Sequence, residues 1–312
     1  MNKLLLAALV SSAIAVPAYA ADYTIMAPAA PGGGWDQTAR SMQQALTEEG
    51  ISSNVQVTNV PGAGGTIGLA QFATQENGNP NALIVGGYVM VGAILTNASP
   101  VSLENVTPIA RLIGESDVIV VPANSELQTM DDLVAKLKAE PGAVSWAGGS
   151  AGGVDHIAAG LIAKAVGVDP TQVNYIAYSG GGEALAAVLG GQVTVGISGY
   201  GEFESQIAAG ELRALAVTGS DQVEGIPTLK ESGVDVNVEN WRMVAAAPGI
   251  TEEQKASITA DIEKMANSDT WKSILETNGW TDMYMAGDEF KAQLESDIES
   301  TTAVLKDVGL VQ

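Results

Sequence analysis

The sequence predicts an α/β protein of two lobes, and three observations carry that expectation. Short apolar strands alternate with helical segments along most of the chain, as in sheets covered by helices. A glycine-rich loop follows several of those strands. Once an N-terminal leader is removed, 292 residues remain (312 minus 20), a length that usually divides into two domains of roughly 100–200 residues.

The leader comes first. Lys3 supplies a positive start, Leu4 to Val10 and Ala13 to Val16 are apolar, and Ala18-Tyr19-Ala20 fits the small-x-small cleavage pattern. This is the pattern of a secretory signal peptide over residues 1–20, cleaved after Ala20. The apolar stretch falls short of the roughly 20 residues that span a membrane, and Pro17 and Tyr19 interrupt it. No Cys follows it to carry a lipid.

Asp22 to Ala27 reads as a strand, Ala29 to Gly34 as a loop, and Trp35 to Glu48 as a helix. Val55 to Val60 is a second strand, closed by Pro61-Gly62-Ala63-Gly64-Gly65 and followed by a helix over Thr66 to Thr74. Ala82 to Val85 is a strand running into Gly86-Gly87-Tyr88. Val118 to Val121 is β-branched and extended, and Leu133 and Leu137 mark a helix over Thr129 to Ala139. Val144 to Ala147 opens into Gly148-Gly149-Ser150-Ala151-Gly152-Gly153 before a helix over His156 to Val166. Val173 to Ala177 leads through Tyr178-Ser179-Gly180-Gly181-Gly182 into a helix over Glu183 to Leu189. Strands at Val193 to Ile197 and Ala214 to Val217 complete the pattern, and Thr251 to Val308 reads as largely helical.

An internal repeat is more informative than any single loop. Gly33-Gly34-Trp35-Asp36 starts a helix, and Gly152-Gly153-Val154-Asp155 does so 119 residues later. Gly64-Gly65-Thr66 is matched by Gly181-Gly182-Glu183 after 117 residues. Two strand–helix runs with glycines at matched points imply two lobes related by a pseudo-twofold axis.

Composition removes whole function classes. The formal charge is −22, with 14 Lys and Arg against 36 Asp and Glu, and nucleic acid binding needs the opposite balance. Such acidity favours a soluble, monomeric chain. There is no Cys and one His, so disulfides, thiolate catalysis and cysteine metal sites are absent. No metal or cofactor is expected. Gly148-Gly149-Ser150-Ala151-Gly152 matches a nucleophile elbow, but His156 is the chain's single histidine and stands six residues past Ser150, not well downstream as a hydrolase triad requires. Gly62-Ala63-Gly64 begins a dinucleotide fingerprint, yet Ile67 stands where the third glycine belongs. No catalytic residue is assigned. A secreted hydrolase using Ser150 or a carboxylate pair remains the alternative.

Glycine loops that open helices suit a different task. Glycine lets a ligand approach the backbone closely, and the first amides of a helix lack internal acceptors. With the helix dipole they form an anion site that needs no Lys or Arg. Loops of this type facing one another would hold separated carboxylates despite the acidic surface, whose field is screened beyond about 8 Å. Asp36 serves either as a helix cap or as a contact to a donor on the ligand. Trp35 stacks on a planar ligand or wedges its loop. Tyr88, Tyr178 and Tyr200 follow strand ends and are divided between site and scaffold. Arg40, one turn into its helix, is expected to pair with a carboxylate outside the cleft.

The segments Ala27-Pro28-Ala29-Ala30-Pro31-Gly32-Gly33-Gly34-Trp35-Asp36 and Val60-Pro61-Gly62-Ala63-Gly64-Gly65-Thr66-Ile67-Gly68 closely resemble the first two loops of the tripartite tricarboxylate transporter receptors, the Bug family. Tyr178 to Leu185, Gly190-Gly191-Gln192-Val193 and Arg213 to Thr218 resemble its later segments. The resemblance implies a two-domain periplasmic-binding-protein (Venus flytrap) fold, with two mixed sheets flanked by helices and two hinge crossovers near Glu115–Ala123 and Val236–Ala245. It places residues 21–119 with 241–312 in one domain and 120–240 in the other. It implies a periplasmic, non-enzymatic receptor that closes on a small organic acid and delivers it to a two-component membrane permease. A periplasmic sensor accessory would use the same cleft. Carried over, the ligand contacts are Ala30, Pro31, Gly32, Gly33, Gly34, Trp35 and Asp36 in the first loop, with Gly64, Gly65 and Thr66 in the second. Gly149, Ser150, Gly181 and Gly182 are the contacts from the second domain, and Tyr88, Tyr178, Ser198 and Tyr200 complete the candidate set.

Overall fold

The computed structural model describes residues 21–311, so the signal peptide expected over residues 1–20 lies outside the described residues. β1 (Ala21–Ala27) leads into α1 (Gly34–Glu48), β2 (Ser52–Asn59) into α2 (Thr66–Gln75), and β3 (Ala82–Gly87) into α3 (Tyr88–Thr96). β4 (Thr107–Pro122) is followed by α4 (Met130–Ala139). A second run then repeats the first: β5 (Ser145–Gly148) into α5 (Val154–Ala165), β6 (Asn174–Ala177) into α6 (Gly181–Leu189), β7 (Val195–Gly199) into α7 (Tyr200–Ala208). β8 (Leu212–Val217), β9 (Glu239–Ala246), α8 (Glu252–Ala266), α9 (Asp269–Asn278), β10 (Thr281–Ala286) and α10 (Gly287–Asp307) complete the chain.

The two runs build equivalent sheets. β1 lies between β2 and β3, parallel to both, and β9 closes β3 in antiparallel fashion. In the other lobe β5 lies between β6 and β7, parallel to both, and β4 closes β7 in antiparallel fashion. The loops after β1, β2, β5 and β6 all leave the carboxyl ends of parallel strands, where open α/β sheets place their ligands. That common edge is what brings the glycine loops together.

The sheets are not separate. β4 pairs with β9 and β10 through its first part, and with β7 and β8 through Asp117 to Pro122. β4 thus joins the two mixed sheets into one continuous strand path. The 16 residues of β4 are almost all apolar or buried, so the strand stays extended while it changes partners.

Side-chain alternation explains the packing of β4. Val118 and Val120 enter one cluster with Ala147, Val188 and Phe203, whereas Ile119 and Val121 enter another with Leu133, Trp146 and Ile162. Successive strand residues face opposite sides, so helices cover this sheet on both faces. In the first lobe, Trp35, Ala39, Met42, Ala45 and Leu46 form the buried face of α1 and pack with Ile25, Leu83 and Val85. α4 starts at a capping box in which the Thr129 hydroxyl accepts the Asp132 amide at 3.2 Å and Asp132 accepts the Thr129 amide at 3.0 Å.

Three elements depart from the sequence expectation. α3 and α7 begin where only strand-end loops were expected, because Tyr88 and Tyr200 start helices directly after glycine. β10 interrupts the helical C-terminal part: Thr281 to Ala286 is partly exposed and is fixed by pairing with β4. Its sequence has no strong strand pattern of its own.

Candidate ligand-binding cleft

A cavity of about 390 Å³ is lined from both lobes by the loops after β1, β2, β5 and β6. Of the candidate residues, Ala30, Pro31, Gly32, Gly33, Gly34, Trp35, Gly64, Gly65, Gly149, Ser150, Gly181, Gly182 and Ser198 line it. The loops approach closely, since a Cβ on Gly64 would stand 3.4 Å from the Ser150 Cβ.

Five candidates lie outside that lining. Asp36 is buried behind its loop, where it accepts the Gly32 amide at 2.8 Å, the Arg40 Nε at 2.9 Å and the Asn59 side-chain amide at 2.9 Å. Burial alone would raise its pKa, but these three donors hold it below the usual carboxylate value. Asp36 therefore fixes the loop, and Arg40 is its partner. Thr66 is buried and donates its hydroxyl to the Ala63 carbonyl at 2.9 Å. Tyr178 and Tyr200 pack on the cluster around Phe203. Tyr88 lines a second cavity, of about 360 Å³, and stacks on Trp241 with ring centroids 6.2 Å apart. Trp35 both lines the cleft and wedges the loops, because a Cβ on Gly65 would fall 2.6 Å from its ring.

The loop amides divide into two groups. Some are occupied by the protein itself: Gly33 donates to the Ala30 carbonyl at 3.1 Å, Gly65 to Gly62 at 3.0 Å, and Gly149 to the Asp155 carboxylate at 2.5 Å. Others have no acceptor among the described residues, namely Gly34 and Trp35 at the start of α1, Gly181 and Gly182 at the start of α6, and Ser150. Two helix N-termini on opposite lobes thus present unpaired donors to one cavity. A side chain would be crowded at two of these places. A Cβ on Gly34 would stand 2.3 Å from Arg242 Nη2, and one on Gly181 would stand 2.6 Å from the Glu202 carboxyl and the Ser198 hydroxyl.

The sequence reading missed the charged inner wall, formed by Asp155, Glu202, Asn240 and Arg242. Arg242 is the one Lys or Arg among the described lining residues. Its Nη2 is bonded to Glu115, and its Nη1 donates to the Gly34 carbonyl at 2.9 Å and the Thr38 hydroxyl at 3.0 Å. Glu202 accepts the Ser198 hydroxyl at 2.6 Å. Burial, reinforced by the Glu115 charge, pushes Glu202 up to about 7. Burial likewise pushes Asp155 up to about 6, against the donors that favour its ionised form. Asp117, fully buried on β4, is also raised by burial and by the Asp155 and Glu115 charges. Asp117, Asp155 and Glu202 are thus crowded into one poorly solvated site, where like charges disfavour one another.

Signals for this wall existed in the sequence. Asp155 is the repeat partner of Asp36 and ties back its own loop in the same way, through the Gly149 amide. Arg242 stands alone in the apolar run Trp241-Arg242-Met243-Val244, and a buried Arg must find a buried partner. For Glu202 there was no such signal.

Ser150 stays at the cavity, but His156 does not serve it. The His156 ring stacks on Tyr175 at 4.1 Å, its Nδ1 accepts the Gly152 amide at 3.2 Å, and burial lowers its pKa to about 4. Among the described residues no helix is long and apolar enough to cross a membrane.

The geometry can be set beside known proteins. The model of the tripartite tricarboxylate transporter family receptor matches residues 38–310. The protein BugT of Bordetella pertussis is 27% identical over 311 residues, covering 96% of this chain and 94% of that protein. The periplasmic binding protein BugD superposes with a TM-score of 0.83 at 21% identity, covering 93% of this chain and 98% of that one. Rpa4515 of R. palustris, solved with adipate, gives a TM-score of 0.82 at 21% identity over 92% of this chain and 97% of that one.

Proposed function

The chain belongs to the tripartite tricarboxylate transporter receptor family, and on that premise we propose that it captures a small organic acid between its lobes and delivers it to a two-component membrane permease. The family and fold are those of solute-binding receptors. The observation that carries the ligand class is the pair of unpaired helix N-termini, at Gly34–Trp35 on one lobe and Gly181–Gly182 on the other, lining one cavity. Each offers backbone donors and the positive end of a helix dipole to a carboxylate. The adipate held by the R. palustris relative is a carboxylate of this kind.

The ligand contacts are those candidates that line the cavity, and Asp36 holds the first loop in shape. β4 and the segment entering β9 are the hinge crossovers between domains of residues 21–119 with 241–312 and 120–240. Closure is driven by the contacts that the ligand gains only when both loops reach it. The receptor works as a monomer in the periplasm after cleavage past Ala20, and it performs no chemistry on its cargo.

Calorimetry and thermal shift of the chain from Ala21, with adipate and a series of four- to six-carbon organic acids, test this reading. Saturable binding is expected, with stabilisation of about 2.7 kcal/mol at a hundredfold excess over Kd. No binding by any acid in the series would refute it. Turnover in the same tubes would favour the hydrolase.

A further inference from the structure

We propose that Gly92 on α3 is a positioning residue for ligand capture: its missing side chain lets the loop after β5 seat on α3, and that seating carries the Ser150 amide to the ligand. This rests on the two-lobe carboxylate reading above and names a residue for it outside the cavity lining.

The contact joins elements of the two lobes. α3 follows β3, whereas the loop carrying Ser150, Gly152 and Gly153 joins β5 to α5. The Gly152 carbonyl lies against the α3 backbone. A Cβ on Gly92 would fall 1.9 Å from the Gly152 oxygen, 3.1 Å from the carbon that bears it and 3.7 Å from Ile157 Cδ1. Facing it, a Cβ on Gly152 would fall 2.8 Å from the Thr96 Cβ. The Thr96 hydroxyl donates to the Gly92 carbonyl at 2.9 Å and stands 3.4 Å from the Ala151 carbonyl. Val89 packs against the apolar clusters of both lobes, and a Cβ on Gly153 would stand 3.1 Å from its Cγ1. Val89, Gly92 and Thr96 are spaced three and four apart, so they share one face of α3.

What surrounds Gly92 separates closure from folding. Beyond its own helix, the three atoms nearest to an added Cβ all belong to the other lobe. α3 is held in its own lobe by different residues, Met90 and Val91, which enter the first-lobe core. A methyl group at position 92 therefore meets nothing in its own lobe, and alanine suits a helix better than glycine does. It obstructs only the approach of the Gly152 carbonyl. Ser150, two residues before Gly152, lines the cavity and presents an amide with no acceptor among the described residues. Close-packed surfaces do not yield continuously, so the lobes must part to admit the methyl, and the Ser150 amide withdraws with its loop. Apparent affinity then falls with the fraction of protein able to close.

Calorimetry and small-angle X-ray scattering of the chain from Ala21, with adipate or malate, whichever binds the wild type more tightly, test this role. The wild type should contract when saturated. Gly92→Ala should keep the ligand-free melting temperature, bind at least tenfold more weakly, release the acid faster and stop short of the contracted radius. Thr96→Phe, which enlarges the same face from a half-buried position, should act in the same direction. Wild-type affinity in either variant would overturn the inference and leave the carboxylate reading intact. A ligand-free melting temperature well below the wild type in Gly92→Ala, or its failure to fold, would place Gly92 in the core of the unliganded protein and overturn the inference too. A wild type that binds without contracting would remove closure, and this role with it. Failure of the wild type to bind either acid would count against the carboxylate reading itself, and this inference would fall with it.

Discussion

Arg242 on β9 and Glu115 on β4 form an ion pair inside the protein, with side chains 2% and 1% exposed. The same guanidinium holds the Gly34 carbonyl at 2.9 Å, so the pair connects β4 and β9 to the loop after β1. A buried pair contributes little net stability, but removing one partner leaves an uncompensated charge. Arg242→Met is therefore expected to cost roughly 3–5 kcal/mol in urea unfolding. Adding Glu115→Gln should recover a large part of that loss. No recovery would mean that Arg242 acts through packing rather than charge.

The glycine loops are expected to respond unequally to a single methyl group. At Gly34 a Cβ meets Arg242 Nη2 at 2.3 Å, whereas at Gly182 it meets nothing within 4 Å. Gly34→Ala should destabilise by roughly 1–3 kcal/mol, as overpacking does. Gly182→Ala should stay within about 1 kcal/mol of the wild type, since helix propensity favours alanine. Thermal unfolding of the two variants separates them.

Charge at an open position tests the anion site without disturbing the fold. Gly182→Asp puts a carboxylate beside the unpaired amides of α6, where an acidic residue suits the helix N-terminus. Melting temperature should hold while calorimetric affinity for organic acids falls at least tenfold. Unchanged affinity would remove α6 from the site.

Acid should stabilise the wall. Folding raises Asp155 from 3.8 to about 6 and Glu202 from 4.5 to about 7. The folded protein thus holds protons that the unfolded chain releases, and its stability is lost as pH rises through those folded values. Between pH 5 and pH 8 the melting temperature should fall. Glu202→Gln removes the cost of ionising a buried carboxyl and should stabilise the protein at pH 8 by roughly 1–3 kcal/mol. A variant less stable than the wild type at pH 8, or with the same pH slope, would count against this account.

Much of the site could be read from the chain because its chemistry lies in the backbone. Gly34, Gly64, Gly149, Gly181 and Gly182 mark strand-to-helix loops by residue type alone, and they meet at one cavity. Reading glycines as open donors went too far at Gly33, Gly65 and Gly149, whose amides are bonded within the protein. Aromatic residues after strands were a poor guide. Tyr88 and Tyr200 begin helices, and the rotation of each helix turns its ring toward packing rather than toward the cleft.

Local pattern by itself determined the α/β alternation, the two repeated runs and the family, since helix starts, strand periodicity and glycine conformations are properties of neighbouring residues. Tertiary structure alone decided that β4 would join both sheets, and that Arg242 would be consumed by Glu115, 127 residues away in the chain. It also gathered Asp155, Glu202 and Asn240 into an acidic inner wall. Those outcomes depend on which distant side chains share a poorly solvated space, and no short-range pattern records that.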